Sequence, residues 1–114
     1  MDTASRAKLL RLLGLGVRGR LAVVGVQQVR DAALRGKLAL AVVAPDASVN
    51  SRNKVVPLLT ARRIRFVEGP SAAELGAVIG KDSAAAIGVV DRNLARGIRE
   101  IVDHGPVAAR QEGV

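Results

Sequence analysis

Cysteine, tryptophan and tyrosine are absent from this 114-residue sequence, and phenylalanine and histidine occur once each. The lack of cysteine excludes disulfide bonds, thiol nucleophiles and cysteine–histidine zinc sites. A single histidine, His104, excludes Ser-His-Asp chemistry in its ordinary form. The lack of aromatic rings also excludes RNA binding by rows of stacked side chains. We therefore expect an aliphatic core, and we expect no enzyme, metal site or cofactor.

Long hydrophobic runs are also missing. The longest are seven residues, as in Leu38–Ala44, whereas a membrane-spanning helix needs about 20. The first residues, MDTASRAKLL, lack the apolar stretch of a signal peptide. These absences predict a cytoplasmic protein without a membrane partner, and we expect a monomer.

Positive charge is plentiful and unevenly distributed. Eighteen basic residues against ten acidic ones give a net charge of +8, and fourteen of the eighteen are arginine. Residues 1–37 hold eight basic and two acidic residues, whereas residues 81–114 hold five of each. The planar guanidinium group of arginine can donate paired hydrogen bonds to phosphates and to base edges. This favours a nucleic-acid partner, although surface arginine could also merely keep an alanine-rich chain soluble.

Apolar runs alternate with amphipathic segments along the chain, and Gly, Pro, Asn, Asp and Ser separate them. This pattern predicts the order α-β-α-β-α-β-α-β-α, an α/β sandwich with helices on both faces of a small sheet. We expect one domain over residues 1–103 and a loose tail over residues 104–114.

Glycine, proline and aspartate residues indicate where helices begin and end. The pattern predicts a first helix over Ala4–Leu13, which three glycines from Gly14 onwards bring to an end. Pro57 predicts the first turn of a new helical segment, since a missing N–H costs little there. Ser71 and Glu74 have the spacing of a capping box and predict the start of a fourth helix. Asp91 is expected to cap a last helix over about 92–102, which leaves His104 solvated beyond it.

The segment 14–19 (GLGVRG) matches the GxGxxG pattern of dinucleotide-binding proteins. That pattern needs a strand before it, a helix after it and an acidic residue about 20 positions later. Here a helical segment precedes it, and Asp31 follows too early. The sequence favours a flexible turn that exposes Arg18 and Arg20 to a phosphate backbone.

The second predicted helix begins at Gly25 with the sequence GVQQVRD. Its first N–H groups are free to bind phosphate or carbonyl oxygens. Gln27 and Gln28 each carry a donor and an acceptor that could contact base edges. Spacing places Gln27, Arg30 and Asp31 on one face. The alternative is an ordinary amphipathic helix whose polar side chains only face water.

Several short segments occur in a specific order and spacing. They are LLGLG at 12–16, RGK at 35–37, VVAPDAS at 42–48, VPLL at 56–59, AELGAVIG at 73–80 and VVDRNLARGI at 89–98. Together with Gly25, they resemble the ribosomal protein family that binds kink-turn RNA, the L-seven-Ae and L-thirty-e type. The resemblance covers roughly residues 5–101, and the small bacterial ribosome-associated members are the most similar.

The resemblance implies a three-layer α-β-α sandwich with a four-stranded mixed sheet. It also implies RNA binding at the start of the second helix, helped by the loop 80–84. In the family, the counterpart of Gly25 approaches the RNA backbone. An Asn and a Glu at the positions of Gln27 and Gln28 contact guanine edges of tandem sheared G·A pairs. A Lys at the position of Asp31 donates to guanine, so this chain carries the opposite charge there.

The sequence thus predicts a non-enzymatic RNA-binding protein, ribosomal or ribosome-associated, that binds structured, kink-turn-like RNA. The predicted RNA-contacting residues are Gly25, Val26, Gln27, Gln28, Arg30, Asp31, Arg18, Arg20, Lys37, Ser48, Lys81, Asp82 and Ser83. Asp31 is also expected to pair with Arg35, four residues on. One alternative is a protein–protein interaction module on the same scaffold. A nucleotide-binding or catalytic domain has only the GxGxxG match in its favour.

Overall fold

The computed structural model describes residues 1–104. Helices and strands alternate in the predicted order. The helices are α1 (Thr3–Arg18), α2 (Val26–Leu34), α3 (Val49–Ala61), α4 (Ala72–Ala77) and α5 (Arg92–His104). The strands are β1 (Ala22–Val24), β2 (Leu40–Val43), β3 (Phe66–Glu68) and β4 (Ala86–Val89). None of these five helices is both long and apolar enough to cross a membrane.

The four strands form one mixed sheet in the order β1-β4-β2-β3. β2 and β3 are parallel, whereas β4 runs antiparallel to both of its neighbours. β1, β2 and β3 therefore run in the same direction. We call the end of the sheet where these three strands finish and β4 begins the upper end, and the opposite end the lower end.

Helices cover both faces of the sheet, which confirms the predicted three-layer sandwich. Alternate residues of β2 point to opposite faces: Leu40 and Val42 pack with α1, α4 and α5, whereas Ala41 and Val43 pack with α2 and α3. All four are fully buried. The core is aliphatic on both faces, as the composition predicts.

The first helix is longer than predicted, because it continues through Gly14 and Gly16 to Arg18. Both glycines are buried. A Cβ atom at Gly16 would lie 2.5 Å from the Cδ2 atom of Leu94 on α5. The glycines therefore allow α1 to pack closely against its neighbours, and α1 continues through both of them. The prediction of a flexible turn over 14–19 was wrong, and only its last residue, Gly19, caps the helix.

Two other helix ends differ from prediction. α3 begins well before Pro57, because the Ser48 hydroxyl accepts a hydrogen bond from the Ser51 N–H group at 3.0 Å. Burial of Val55 and Leu59 on one face holds the helix together through the proline. α5 extends to His104, so this residue ends the helix instead of belonging to a tail. The rest of the predicted tail lies outside the described residues.

The predicted caps of α4 and α5 are confirmed. The Ser71 hydroxyl accepts from the Glu74 N–H group at 3.2 Å, and the Glu74 carboxylate accepts from the Ser71 N–H group at 3.0 Å. This bond from the Ser71 backbone lowers the pKa of Glu74 below its ordinary value. At α5, the Asp91 carboxylate accepts from the Leu94 N–H group at 2.8 Å. Each cap satisfies an N–H group that the helix leaves unpaired.

An exposed ion pair joins the end of α5 to the start of β3. Both guanidinium NH₂ groups of Arg65 donate to the Asp103 carboxylate, and this lowers the pKa of Asp103 below its ordinary value of 3.8. A lowered carboxyl pKa stabilises the fold above pH 3.8, and this stabilisation is lost as the pH falls through the folded-state pKa.

We expect Asp103→Asn to lower the free energy of unfolding by at most about 1 kcal/mol at pH 7. Urea denaturation at pH 7 and pH 2 should show the difference only at pH 7, and an equal loss at both would contradict the electrostatic origin.

Candidate functional site

The start of α2 depends on the backbone conformation of Gly25. Its φ of 102° and ψ of 157° lie in a region that is essentially restricted to glycine. The Gly25 N–H group donates to the carbonyl of Ala86 at the beginning of β4, at 2.9 Å. A Cβ atom on Gly25 would meet no atom within 4 Å. Glycine is therefore required here for its backbone conformation and not to avoid a steric clash.

The N-terminus of α2 has no side-chain cap. The other four described helices each have one, from Asp2, Ser48, Ser71 or Asp91. The first N–H groups of α2 therefore remain available as donors, and the helix dipole adds positive potential at the same point. This start can bind a phosphate or a carbonyl oxygen without losing an internal hydrogen bond.

The polar face predicted for α2 is present. The Gln27 side-chain NH₂ group donates to the Asp31 carboxylate at 2.9 Å, which leaves the Gln27 carbonyl oxygen as an acceptor. Gln28 is exposed beside it. The predicted pair between Asp31 and Arg35 was wrong, since Asp31 bonds to Gln27 instead. Helical side chains lean towards the N-terminus, and this brings Asp31 over the preceding turn.

Arg30 has a structural contact that the sequence did not indicate. Its guanidinium donates to the backbone carbonyl of Lys54 and so joins α2 to α3. The side chain is half-buried, whereas Gln27 and Gln28 are exposed. Of the four polar residues predicted on α2, Arg30 is therefore the one whose side chain joins this helix to another helix.

The loop 80–84 lies at the upper end of the sheet, as does the start of α2. The Lys81 N–H group donates to the Gly76 carbonyl at 2.9 Å, and the Ala84 N–H group donates to the Ala72 carbonyl at 3.0 Å. These bonds hold the loop against α4. Lys81, Asp82 and Ser83 are exposed on it. The loop leads directly into β4, whose first residue accepts the hydrogen bond from Gly25.

Sequence reasoning missed the role of Gly76 in this arrangement. A Cβ atom at Gly76 would lie 2.5 Å from the Ser83 Cα atom and 2.8 Å from the Lys81 carbonyl oxygen. The absence of a side chain therefore lets α4 and the loop lie in direct contact. A glycine inside a capped helical segment is the sequence signal that could have indicated this close approach.

Ser48 also lies at the upper end, in the turn after β2. Its hydroxyl is occupied, since it accepts from the Ser51 N–H group and bonds to the Ser51 hydroxyl at 3.0 Å. The neighbouring Asp46 carboxylate accepts from the Ala72 N–H group at 2.8 Å and ties this turn to α4. Hydrogen bonds to the starts of α3 and α4 therefore hold this turn in place at the upper end.

Arg18, Arg20 and Lys37 occupy the other end of the molecule. Arg18 ends α1 and Arg20 precedes β1, while Lys37 precedes β2. The strands β1 and β2 both begin at the lower end. The structure therefore brings together the α2 start, the Ser48 turn and the loop 80–84, but it separates these three basic residues from them. Within residues 1–104, no cluster of His, Asp and Glu side chains could hold a metal ion.

This geometry can be compared with known proteins. The model of the ribosomal protein L7Ae/L30e/S12e/Gadd45 family matches residues 7–96. The chain belongs to this family. The match extends from α1 into α5, so the whole described sheet lies within it. The resemblance inferred from the short sequence segments is thereby confirmed at the level of the family.

Several individual proteins are similar to this family member. It is 32% identical over 96 residues to the RNA-binding protein YlxQ of Bacillus subtilis (strain 168), covering 81% of this chain and 92% of that protein. A solved structure of a protein with unknown function from Bacillus halodurans is 31% identical, with a TM-score of 0.78 and coverage of 85% and 98%. The 15.5kD RNA binding protein of Giardia lamblia is 20% identical, with a TM-score of 0.74 and coverage of 90% and 88%, which shows a shared fold.

Proposed function

We propose that this family member binds structured, kink-turn-like RNA through the upper end of its sheet. The observation that carries the proposal is the uncapped start of α2, where free N–H groups and the exposed side chains of Gln27 and Gln28 lie together. The loop 80–84 provides a second contact at the same end. The RNA-binding name of the Bacillus subtilis relative supports this choice of partner.

Two kinds of contact have different roles at this site: one positions the RNA and the other selects its bases. The N–H groups of the first α2 turn would donate to phosphate or ribose oxygens and position the RNA. The carbonyl oxygens of Gln27 and Gln28 would accept from the N–H groups on guanine edges and thereby select bases. The Gln27 carbonyl oxygen is free for such a contact, because only the NH₂ group of that side chain bonds to Asp31. A non-enzymatic role, association with the ribosome, a monomeric state and a cytoplasmic location remain predictions.

Base recognition can be tested with a double variant, Gln27→Ala with Gln28→Ala. A base contact contributes about 1–3 kcal/mol of discrimination, so we expect at least roughly tenfold weaker binding to a kink-turn RNA. Filter binding should show no change for an RNA in which the two sheared G·A pairs are replaced by G·C pairs. Both RNAs are measured at the same salt concentration, because phosphate contacts depend on salt.

The matched control removes two other exposed helical amides, with Asn53→Ala and Asn93→Ala on α3 and α5. This control should bind both RNAs like the unmodified protein. An equal loss for both RNAs in the glutamine variant would mean that these side chains do not contact bases. No measurable affinity of the unmodified protein for either RNA at low salt would reject the proposal and favour a protein–protein interaction module.

A further inference from the structure

Two adjoining depressions lie at the lower end of the sheet, away from the start of α2. One, of 380 Å³, lies between the beginning of α5 and the segment joining α2 to β2. The other, of 520 Å³, lies between the end of α3 and that same segment. They share the lining residues Gly36, Leu38, Ala39 and Arg99. They therefore form one continuous surface that joins three helix ends.

The lining of this surface is strongly basic. Apart from Arg65, its cationic side chains are Lys37, Arg62, Arg63, Arg92, Arg96 and Arg99. We call these six the lower-end basic surface. Among the residues named as lining either depression, none carries a carboxylate. Arg65 is excluded because its guanidinium is already held by Asp103.

Helix stability does not explain all of these charges. Arg62 and Arg63 follow the C-terminal end of α3, where a positive charge interacts favourably with the helix dipole. Arg92 has the opposite position, because it is the first residue of α5, directly after the Asp91 cap, and no acidic residue lies in the first turn itself. A positive charge at a helix N-terminus is unfavourable for the helix. The dipole of α5 therefore does not explain Arg92, and Arg96 lies one turn further along the same helix.

We propose that the lower-end basic surface binds the phosphate backbone of a second RNA segment, so that the protein contacts RNA at both ends of its sheet. This inference rests on the proposed RNA-binding function. Arginine forks match phosphate oxygens geometrically. Six cations spread over two open depressions suit several successive phosphates better than one small phosphate compound. The uncapped start of α2 and this surface lie at opposite ends, so both can be occupied together.

The test removes two charges with Arg92→Gln and Arg96→Gln, both exposed on α5. The matched control removes two exposed charges from α1 with Lys8→Gln and Arg11→Gln. Binding to a 16-base-pair RNA duplex is measured by filter binding over a range of salt concentrations. Loss of two phosphate contacts should reduce the log–log salt slope by about 1.5 and weaken binding about tenfold near 0.1 M salt. The control should keep the slope of the unmodified protein.

A second measurement separates this inference from the proposed function. A complex of the full chain with saturating kink-turn RNA is mixed with a labelled duplex, and a ternary complex is sought by gel shift. We expect the ternary complex with the unmodified protein and the α1 control, but not with Arg92→Gln and Arg96→Gln. If kink-turn RNA fails to bind while duplex binding still depends on α5, the proposed function is wrong at the upper end and the lower-end surface stands.

Three results would overturn the inference. The first is an equal fall in salt slope for the α5 and α1 variants, which would indicate a general effect of net charge. The second is competition by ATP or inorganic phosphate as strong as that by RNA at equal phosphate concentration, which would indicate a site for small phosphate compounds. The third is an unchanged affinity in the α5 variant. Thermal unfolding of both variants excludes misfolding, because Arg92→Gln should leave the helix at least as stable.

Discussion

Gly76→Ala should destabilise the protein by about 2 kcal/mol, although alanine favours a helix over glycine by about 1 kcal/mol. The added Cβ atom would lie 2.5 Å from the Ser83 Cα atom and 2.6 Å from the Ser83 nitrogen. Both are backbone atoms and cannot rotate away. The loop 80–84 would have to shift off α4 as a unit, so the substitution tests how the upper end is held together.

The matched control is Gly97→Ala in α5, where the nearest atom to the new Cβ atom would be the Leu12 Cδ1 atom at an ordinary 3.7 Å. This variant should gain up to about 1 kcal/mol from helix propensity alone. Urea denaturation compares the two variants, and filter binding should show a loss of kink-turn affinity for Gly76→Ala only. Equal stability of the two variants would show that the loop adapts without cost.

Asp31→Lys should tighten binding to a kink-turn RNA about tenfold and tighten binding to a plain RNA duplex less. The bond from Gln27 places Asp31 over the first turn of α2, on the face that we propose to contact bases. A carboxylate there repels phosphate and cannot donate to guanine. A lysine supplies a donor, and a well-formed base contact is worth about 1–3 kcal/mol of discrimination. Filter binding of both RNAs at one salt concentration measures the two affinities.

The ratio of the kink-turn and duplex affinities decides this prediction, because a new positive charge by itself strengthens both. Asp31→Ala is the control, since it removes the negative charge without adding a hydrogen-bond donor. It should improve the two affinities about equally. If Asp31→Lys also leaves the ratio unchanged, position 31 does not face bases in the complex.

Much of the fold could be predicted from local sequence because the signals are local. The apolar run Leu38–Ala44 lies between a lysine and a proline. Such a run must be shielded from water, as a buried strand or a short buried helix segment, and its shortness favours the strand. The Ser71–Glu74 capping box and the Asp91 cap satisfy N–H groups within three residues, so tertiary contacts were not needed to find them. The start of α2 at Gly25 was predicted from the local segment GVQQVRD in the same manner.

Local signals failed where packing outweighed backbone preference. Gly16 and Pro57 weaken an isolated helix, and the sequence pattern predicted helix boundaries near them. In the folded chain, Gly16 lies against Leu94, and burial of Val55 and Leu59 keeps α3 continuous through the proline. The free energy of these contacts comes from residues far away in sequence, which a pattern read along the chain does not contain.

The sequence by itself determined the element order, the aliphatic core, the excess of arginine and the polar start of α2. Only the tertiary structure decided which basic residues share an end with that start. Arg20 lies five positions before Gly25, yet β1 separates the two along its whole length. Lys81 is distant in sequence but reaches the same end as Gly25, because β4 runs antiparallel to β1. Strand direction therefore places basic residues that composition counts together at opposite ends of the sheet.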